Sequence, residues 1–188
     1  MSEYEMYFEY LSKRSRLGLL YRKYWLYPNL SKVLVGNTLD VGCGLGDMLS
    51  FRPDTIGVDI NPLTVAWCRS QGLDVFEMVE DVLPFPSYSF QSVLLDNVIE
   101  HLSEPTALLS EIFRVLQPGG TLVVGVPGLR GYAVDADHKT FYDEQTLLGV
   151  INAAGFTASS VRHLPVRFPG LSRYLRQYCL YGVFLRGF

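Results

Sequence analysis

The sequence predicts an α/β fold, a mostly parallel sheet flanked by helices, and three observations carry that prediction. From Asn37 onward, short apolar runs alternate with stretches of helical length. The helical stretches begin and end on residues suited to caps, such as Pro62, Gly72 and Gly155. With 48% of its 188 residues hydrophobic and 19% charged, the chain can bury one sizeable core, so a single domain over 1–188 is expected.

In chain order, residues 1–36 are helical by period, with Met6, Tyr7, Tyr10 and Leu11, then Leu17, Leu20, Tyr21 and Tyr24, recurring at spacings of 3 to 4. Pro28 is expected to interrupt or restart that helix. Six of the twelve tyrosines lie here beside Lys13, Arg14, Arg16, Arg22 and Lys23. The segment therefore packs on the main fold with a solvated basic face, or closes over a substrate site as a lid, or lies on a membrane surface. "TLDVG" then reads as a strand, "LGDMLSF" as a helix, "TIGVDI" as a strand and "PLTVAWCRSQG" as a helix. "DVFEMV" and "FQSVLLDN" are strands, "EPTALLSEIFRVL" is a helix, "GTLVVGVP" a strand and "DEQTLLGVINAAG" a helix. "FTASSVRHL" and "YCLYGVFLRG" are two further strands, and the stretch "GLSRYLRQ" between them is too short for a crossover helix. That pair is expected to be antiparallel.

Charge is uneven. Residues 1–32 carry six Lys/Arg against three Glu, residues 33–144 five against sixteen acids, and residues 145–188 five Arg and no acid. An acidic middle between basic, aromatic ends argues against a polyanionic ligand for the middle, nucleic acid included. Cys43, Cys68 and Cys179 are too few for a disulfide scaffold and lack CxxC spacing, so they read as reduced, buried thiols. His101, His138 and His163 are scattered without the spacing of zinc ligands on a helix, and no metal is expected. No apolar run approaches the roughly 20 residues of a membrane span, and the N-terminus does not look like a signal peptide. A cytoplasmic location is expected, with peripheral membrane contact as an extension.

The most informative stretch is "LDVGCGLGDML", Leu39 to Leu49, a strand leading through glycines into a helix. Such a loop brings bare backbone to a ligand at the carboxyl end of a parallel sheet. A P-loop needs GxxxxGK, and no lysine lies between Lys32 and Lys139. A dinucleotide fingerprint needs a third glycine where Asp47 stands. The spacing as written, Asp40, Gly42, Gly44 and Gly46, resembles motif I of the class I S-adenosylmethionine-dependent methyltransferases. That cofactor carries an amino group and a sulfonium but no phosphate, which suits an acidic loop.

The resemblance extends from Asn37 to roughly Phe156 through "GVDINP", "VEDVLPFPSYSFQSVLLDNVIEHL" and "LQPGGTLVVGVP". It implies a Rossmann-like seven-stranded sheet in the order 3-2-1-4-5-7-6, parallel except for the last strand. It also implies S-adenosylmethionine contacts from Asp40, Gly42, Cys43, Gly44 and Gly46 in the loop, and from Asp59 and Ile60 after the second strand. Asp59 would accept from both ribose hydroxyls, which fits two carboxylate oxygens facing a vicinal diol. Asp81 would accept from the adenine amino group with Val82 against the ring, and Asp96 and Asn97 would lie near the methionine amino group. Gly119 and Gly120 read as structural.

Methyl transfer from a sulfonium is an in-line displacement that depends on placement of the acceptor, and a hydroxyl acceptor must also lose its proton. His138, in the polar loop "DADHKTFYDEQTLL", is the first candidate base; it could instead only anchor Asp135 or Asp137. His101 is a weaker candidate, and His163 has no special claim. Tyr132, Phe141 and Tyr142 could wall the acceptor pocket. The expected function is methyl transfer to a small molecule, a hydroxyl of a sugar, phenol or lipid-linked intermediate. The alternatives are a non-catalytic binding protein on the same fold and a nicotinamide-dependent oxidoreductase, the latter disfavoured by Asp47.

Overall fold

A computed structural model describes residues 2–187; Met1 and Phe188, the ends of the expected domain, lie outside them. Helices α1 (Glu3–Ser12), α2 (Arg16–Tyr21) and α3 (Tyr27–Ser31) precede β1 (Thr38–Val41). Next come α4 (Asp47–Phe51), β2 (Thr55–Asp59), α5 (Pro62–Ser70), β3 (Val75–Glu77) and β4 (Phe90–Asp96). The remaining elements are α6 (Thr106–Val115), β5 (Leu116–Pro127), α7 (Leu129–Tyr132), α8 (Glu144–Ala153), β6 (Phe156–Leu164) and β7 (Cys179–Arg186).

The seven strands form one sheet in the order β3-β2-β1-β4-β5-β7-β6, as expected. The neighbours from β3 through to β5 run parallel, while β7 is antiparallel to both β5 and β6. The link between β6 and β7 holds only the short turn Pro169–Arg173, so an antiparallel return is the connection open to it.

Side chains alternate across the buried strands, which is why these segments read as nearly continuous apolar runs. Val93, Leu95, Leu122 and Val124 face a core completed by Leu108, Leu109, Ile112 and Val115 of α6 and by Leu147 and Ile151 of α8. Leu94 and Val123 point the other way, against Leu26, Tyr27, Leu30 and Leu34. The second half of the N-terminal segment is thus packed core, whereas α1 buries no residue.

Pro28 restarts the helix instead of ending it: α3 begins at Tyr27 with the proline in its first turn. The backbone stays right-handed helical from Tyr21 through Lys32. A single widened turn, Arg22–Leu26, precedes the proline, with the Tyr27 N–H donating to the Arg22 carbonyl. Pro28 lacks an N–H and crowds the carbonyl four residues back, and a π-type turn just upstream accommodates both effects. Strand β3 is also shorter than the sequence predicts. It pairs only from Val75 to Glu77, because the chain then bends into the turn closed by the Val79–Val82 bridge.

The sheet order reverses between β1 and β4. In parallel α/β sheets that reversal opens a crevice beyond the strands' carboxyl ends, and the glycine loop after β1 and Asp96 after β4 both end there.

Candidate functional site

The glycine loop is pinned to the neighbouring strand by Gly42 and Cys43 N–H groups that donate to the Val58 carbonyl at 2.9 and 3.0 Å. Its turns need glycine: Gly42 has φ +72°, and a Cβ there would lie 2.6 Å from Val98 Cγ2. Gly46, with φ +73°, would bring a Cβ to 2.4 Å from Leu73 Cδ1 and 3.1 Å from Cys68 Sγ, so it lets the start of α4 pack closely on α5 and the turn after it. Asp59, at the end of β2, is 5% exposed and accepts from Gly44 N–H at 2.8 Å on one oxygen and Asn61 N–H at 2.9 Å on the other. Burial raises its pKa, and those two N–H donors oppose the rise. A carboxylate offers about four lone-pair sites, so Asp59 retains capacity to accept from a ligand.

In front of the loop lies a cavity of about 460 Å³. Of the residues expected at the site, Asp40, Gly42, Cys43, Gly44, Asp96, Asn97, His101 and His138 line it. Gly46, Asp59, Ile60, Asp81 and Val82 do not. Asp59 lies under α1, where the Asn61 side chain donates to the Tyr4 carbonyl at 3.0 Å. Ile60 and Val82 are exposed at 43% and 55%, on the open side of the sheet's end, and Asp81 sits at φ +57° in the turn after β3.

The acidity of the loop acts differently from what its composition suggests. Burial, and then Asp96, push the Asp40 carboxyl well above the usual range, which disfavours its charged form. Asp47 is held bidentately by Arg14, with Nη2 to Oδ1 at 3.2 Å and a closer Nη1–Oδ2 contact. Asp96 accepts from the Tyr181 hydroxyl at 2.7 Å and from Asn97 Nδ2 at 2.9 Å, and pairs with Arg22 Nη1 at 3.3 Å. Arg14 and Arg22, expected on a solvated face, instead turn into the cavity. Composition marks the segment as basic; only packing shows which basic side chains face inward. Nothing in the sequence singles out Tyr181 either, since a tyrosine in an apolar strand looks like any core aromatic. Tyr181→Phe is expected to destabilise the fold by about 1–2 kcal/mol in urea unfolding, because Asp96 loses a buried donor.

At the far end of the cavity, His138 Nδ1 lies 2.9 Å from the Tyr132 carbonyl. A carbonyl can only accept, so Nδ1 carries a hydrogen and Nε2 is the ring nitrogen left facing the carboxylates. Nε2 is 3.8 Å from Glu100 Oε1 and 3.9 Å from Asp135 Oδ2. The backbone N–H groups of Lys139 and Thr140 donate to the Glu100 carbonyl at 2.8 and 3.1 Å, which ties this loop to the turn Ile99–His101. The His101 and His138 rings lie 4.7 Å apart, so two of the three scattered histidines are brought together. Burial, then His138, lowers the His101 pKa. Glu100, fully buried, is pushed up to about 8 by burial, and neither carboxylate oxygen has a hydrogen-bond partner.

The expected aromatic wall is absent from the cavity lining. Tyr142 belongs to the core, while Tyr132 stacks behind His138 at 5.2 Å and Phe141 packs edge-on against Tyr132 at 5.3 Å. They support the histidine instead of the acceptor, because the loop folds back over its own aromatic residues. His163 hydrogen-bonds the Tyr178 hydroxyl at 2.7 Å on the edge strand, away from the cavity. The three cysteines are free, with Cys43 and Cys68 buried.

Residues 39–124, the stretch from β1 through most of β5, match the methyltransferase domain family. A Mycolicibacterium smegmatis protein named as a probable S-adenosylmethionine-dependent methyltransferase is 30% identical over 163 residues, covering 77% of this chain and 63% of its own length. Residues 39–124 carry a methyltransferase domain. A ubiquinone biosynthesis O-methyltransferase of Xanthomonas oryzae is 34% identical over 96 residues, 45% of this chain and 40% of that protein. A S-adenosylmethionine-dependent methyltransferase structure from Thermotoga maritima superposes with a TM-score of 0.79 at 21% identity, covering 97% of this chain and 99% of that one. One from Archaeoglobus fulgidus gives 0.71 at 17% identity, over 98% and 100%. At such identities the structures establish the fold alone. The chain spans about three-fifths or less of the length of the curated relatives it matches, 63% and 55% for the first of them.

The methyltransferase domain's cofactor is S-adenosylmethionine, and the donor set fits it. The Asp59 carboxylate and the polar cluster at Asp96 and Asn97 are chemically suited to a ribose and an amino-acid moiety, while the Gly42, Cys43 and Gly44 N–H groups are already spent on Val58 and Asp59.

Proposed function

We propose that this chain transfers the methyl group of S-adenosylmethionine to a hydroxyl of a small acceptor, a sugar, a phenol or a lipid-linked intermediate. The observation that carries the reading is one cavity running from the glycine loop, Asp40 to Gly44, past Asp96 to His101 and His138. Cofactor at the first end would present its sulfonium methyl toward the second, where an acceptor oxygen can be held in line. His138 offers an oriented Nε2 lone pair at that end to take the hydroxyl proton. Asp81 and Val82 would meet the adenine on the open side of the sheet.

Residues 2–21 serve as a lid in this reading. Ribose contact with Asp59 requires α1 to lift, releasing the hydrogen bond between Tyr4 and Asn61. The lid and the turn after it expose Leu17, Leu20, Tyr24 and Trp25 beside Lys13, Arg16 and Lys23, which supports a membrane-linked acceptor over a free one. Among the described residues no helix is long and apolar enough to cross a membrane. A cytoplasmic, membrane-peripheral enzyme with no nucleic-acid partner is the corresponding placement.

The test is transfer of labelled methyl from S-adenosylmethionine across a panel of hydroxyl acceptors, beside calorimetric titration with S-adenosylhomocysteine. Binding with no labelled product across the panel would favour a non-catalytic binding role; binding of NADH instead would favour an oxidoreductase. On the true acceptor, His138→Ala is expected to lower kcat about 100-fold or more while S-adenosylhomocysteine affinity stays within about threefold. Equal turnover by variant and wild type would remove His138 from the reaction.

A further inference from the structure

We propose that Glu100, His101 and His138 form a binding site for one first-row divalent transition cation at the acceptor end of the cavity. One ligand atom from each of the three lies within 4.8 Å of the others. A cation bound at about 2.0–2.2 Å to each needs separations of about 3.3 Å, which small side-chain rotations supply.

Three features point to a cation rather than to a chance cluster. Glu100 is fully buried, and neither carboxylate oxygen has a hydrogen-bond partner, a costly arrangement that a proton or a bound cation relieves. His138 has Nδ1 committed to the Tyr132 carbonyl, which turns Nε2 toward Glu100. The His101 ring lies edge-on to the His138 ring at 4.7 Å, which brings a second imidazole to the same point. A ligand histidine whose other ring nitrogen is held by a backbone group is the usual outer-sphere arrangement of metal sites. Asp135, 3.9 Å from His138 Nε2 and on the cavity wall, is in reach as a further ligand or proton acceptor.

Two imidazoles and one carboxylate suit zinc or iron(II) in preference to magnesium or calcium, which favour oxygen donors throughout. Three protein ligands leave positions open, and His101 and His138 line the cavity, so those positions face the acceptor. The role of the cation rests on the methyl-transfer reading. An acceptor hydroxyl bound to it loses its proton to Asp135 or solvent. The oxygen then forms the O–CH₃ bond as the S–CH₃ bond breaks, and that bond's electron pair stays on sulfur to give S-adenosylhomocysteine. The cation keeps its charge; with it bound, His138 serves as its ligand and the proton-accepting role proposed above for Nε2 passes to Asp135 or solvent.

Purified protein stripped with a chelator is titrated with Co²⁺ and followed by its visible d–d absorption, with Zn²⁺ as competitor. One equivalent with a low-symmetry spectrum is expected, and Glu100→Gln and His101→Asn should each weaken Co²⁺ binding at least tenfold. S-adenosylhomocysteine affinity, measured on the same samples, should stay within about threefold and reports that each variant is folded. Glu100→Gln preserves shape in the buried position, and His101→Asn alters a residue that is only partly buried, so the two do not share a folding liability. Absence of stoichiometric Co²⁺ binding to wild type, or binding unchanged in both variants, overturns the site. Co²⁺ binding without S-adenosylhomocysteine binding would leave the metal site standing and overturn the methyl-transfer reading alone.

Discussion

Asp59→Ala is expected to weaken S-adenosylhomocysteine binding about 100-fold, a loss of about 2.7 kcal/mol read by calorimetry. The carboxylate is held in one orientation by Gly44 N–H at 2.8 Å and Asn61 N–H at 2.9 Å. Loss of one hydrogen bond from a ribose hydroxyl to a charged acceptor, worth about 1.5–3 kcal/mol, is enough to give that magnitude. Truncation also orphans the two N–H groups, so the variant should melt earlier than wild type. Asp59→Asn separates the two effects: its remaining oxygen still accepts, so the fold is largely retained while affinity drops about tenfold. Unchanged affinity in both variants would show that Asp59 does not contact the cofactor.

Gly42→Ala should cost about 3 kcal/mol of stability and remove detectable cofactor binding. An alanine at φ +72° carries backbone strain of about 1 kcal/mol or more, and its Cβ, 2.6 Å from Val98 Cγ2, adds an overpacking cost of about 1–3 kcal/mol. For a chain of this size the melting temperature should fall by roughly 10 °C. The double variant Gly42→Ala with Val98→Ala removes the clash but leaves the strain, so it should recover part of the stability lost in the single variant. Full recovery would show that strain at this φ is negligible; no recovery would show that Val98 is not what Gly42 makes room for.

Both predictions rest on residues that stand out in the amino-acid sequence. The loop's spacing from Asp40 to Gly46 and the placing of Asp59 about 20 residues on follow from local requirements, a backbone turn and a short side chain at a strand's end. The alternation after Asn37 is readable for the same reason, since each strand's burial is written in its own residues. Even the antiparallel end of the sheet follows from a link too short to cross over.

The inward face of the N-terminal segment and the far end of the cavity are not legible in that way. Arg14 meets Asp47 across 33 residues, and Arg22 meets Asp96 across 74, whereas composition shows only that residues 1–32 are basic. Tyr132, Phe141 and Tyr142 offer an acceptor wall by proximity in sequence, and the loop's own folding turns them away from it.

What the sequence determines by itself is therefore the fold, the order of its strands through the family's pattern, and the cofactor loop. Their causes lie within a few residues of one another. Only the tertiary structure decides how these charges are met, since burial disfavours the charged form of Asp40, and Asp47 and Asp96 are paired with arginines from another segment. It alone places His101 beside His138 over the unpartnered Glu100. Those are properties of distances between segments remote in the chain, and no local pattern encodes them.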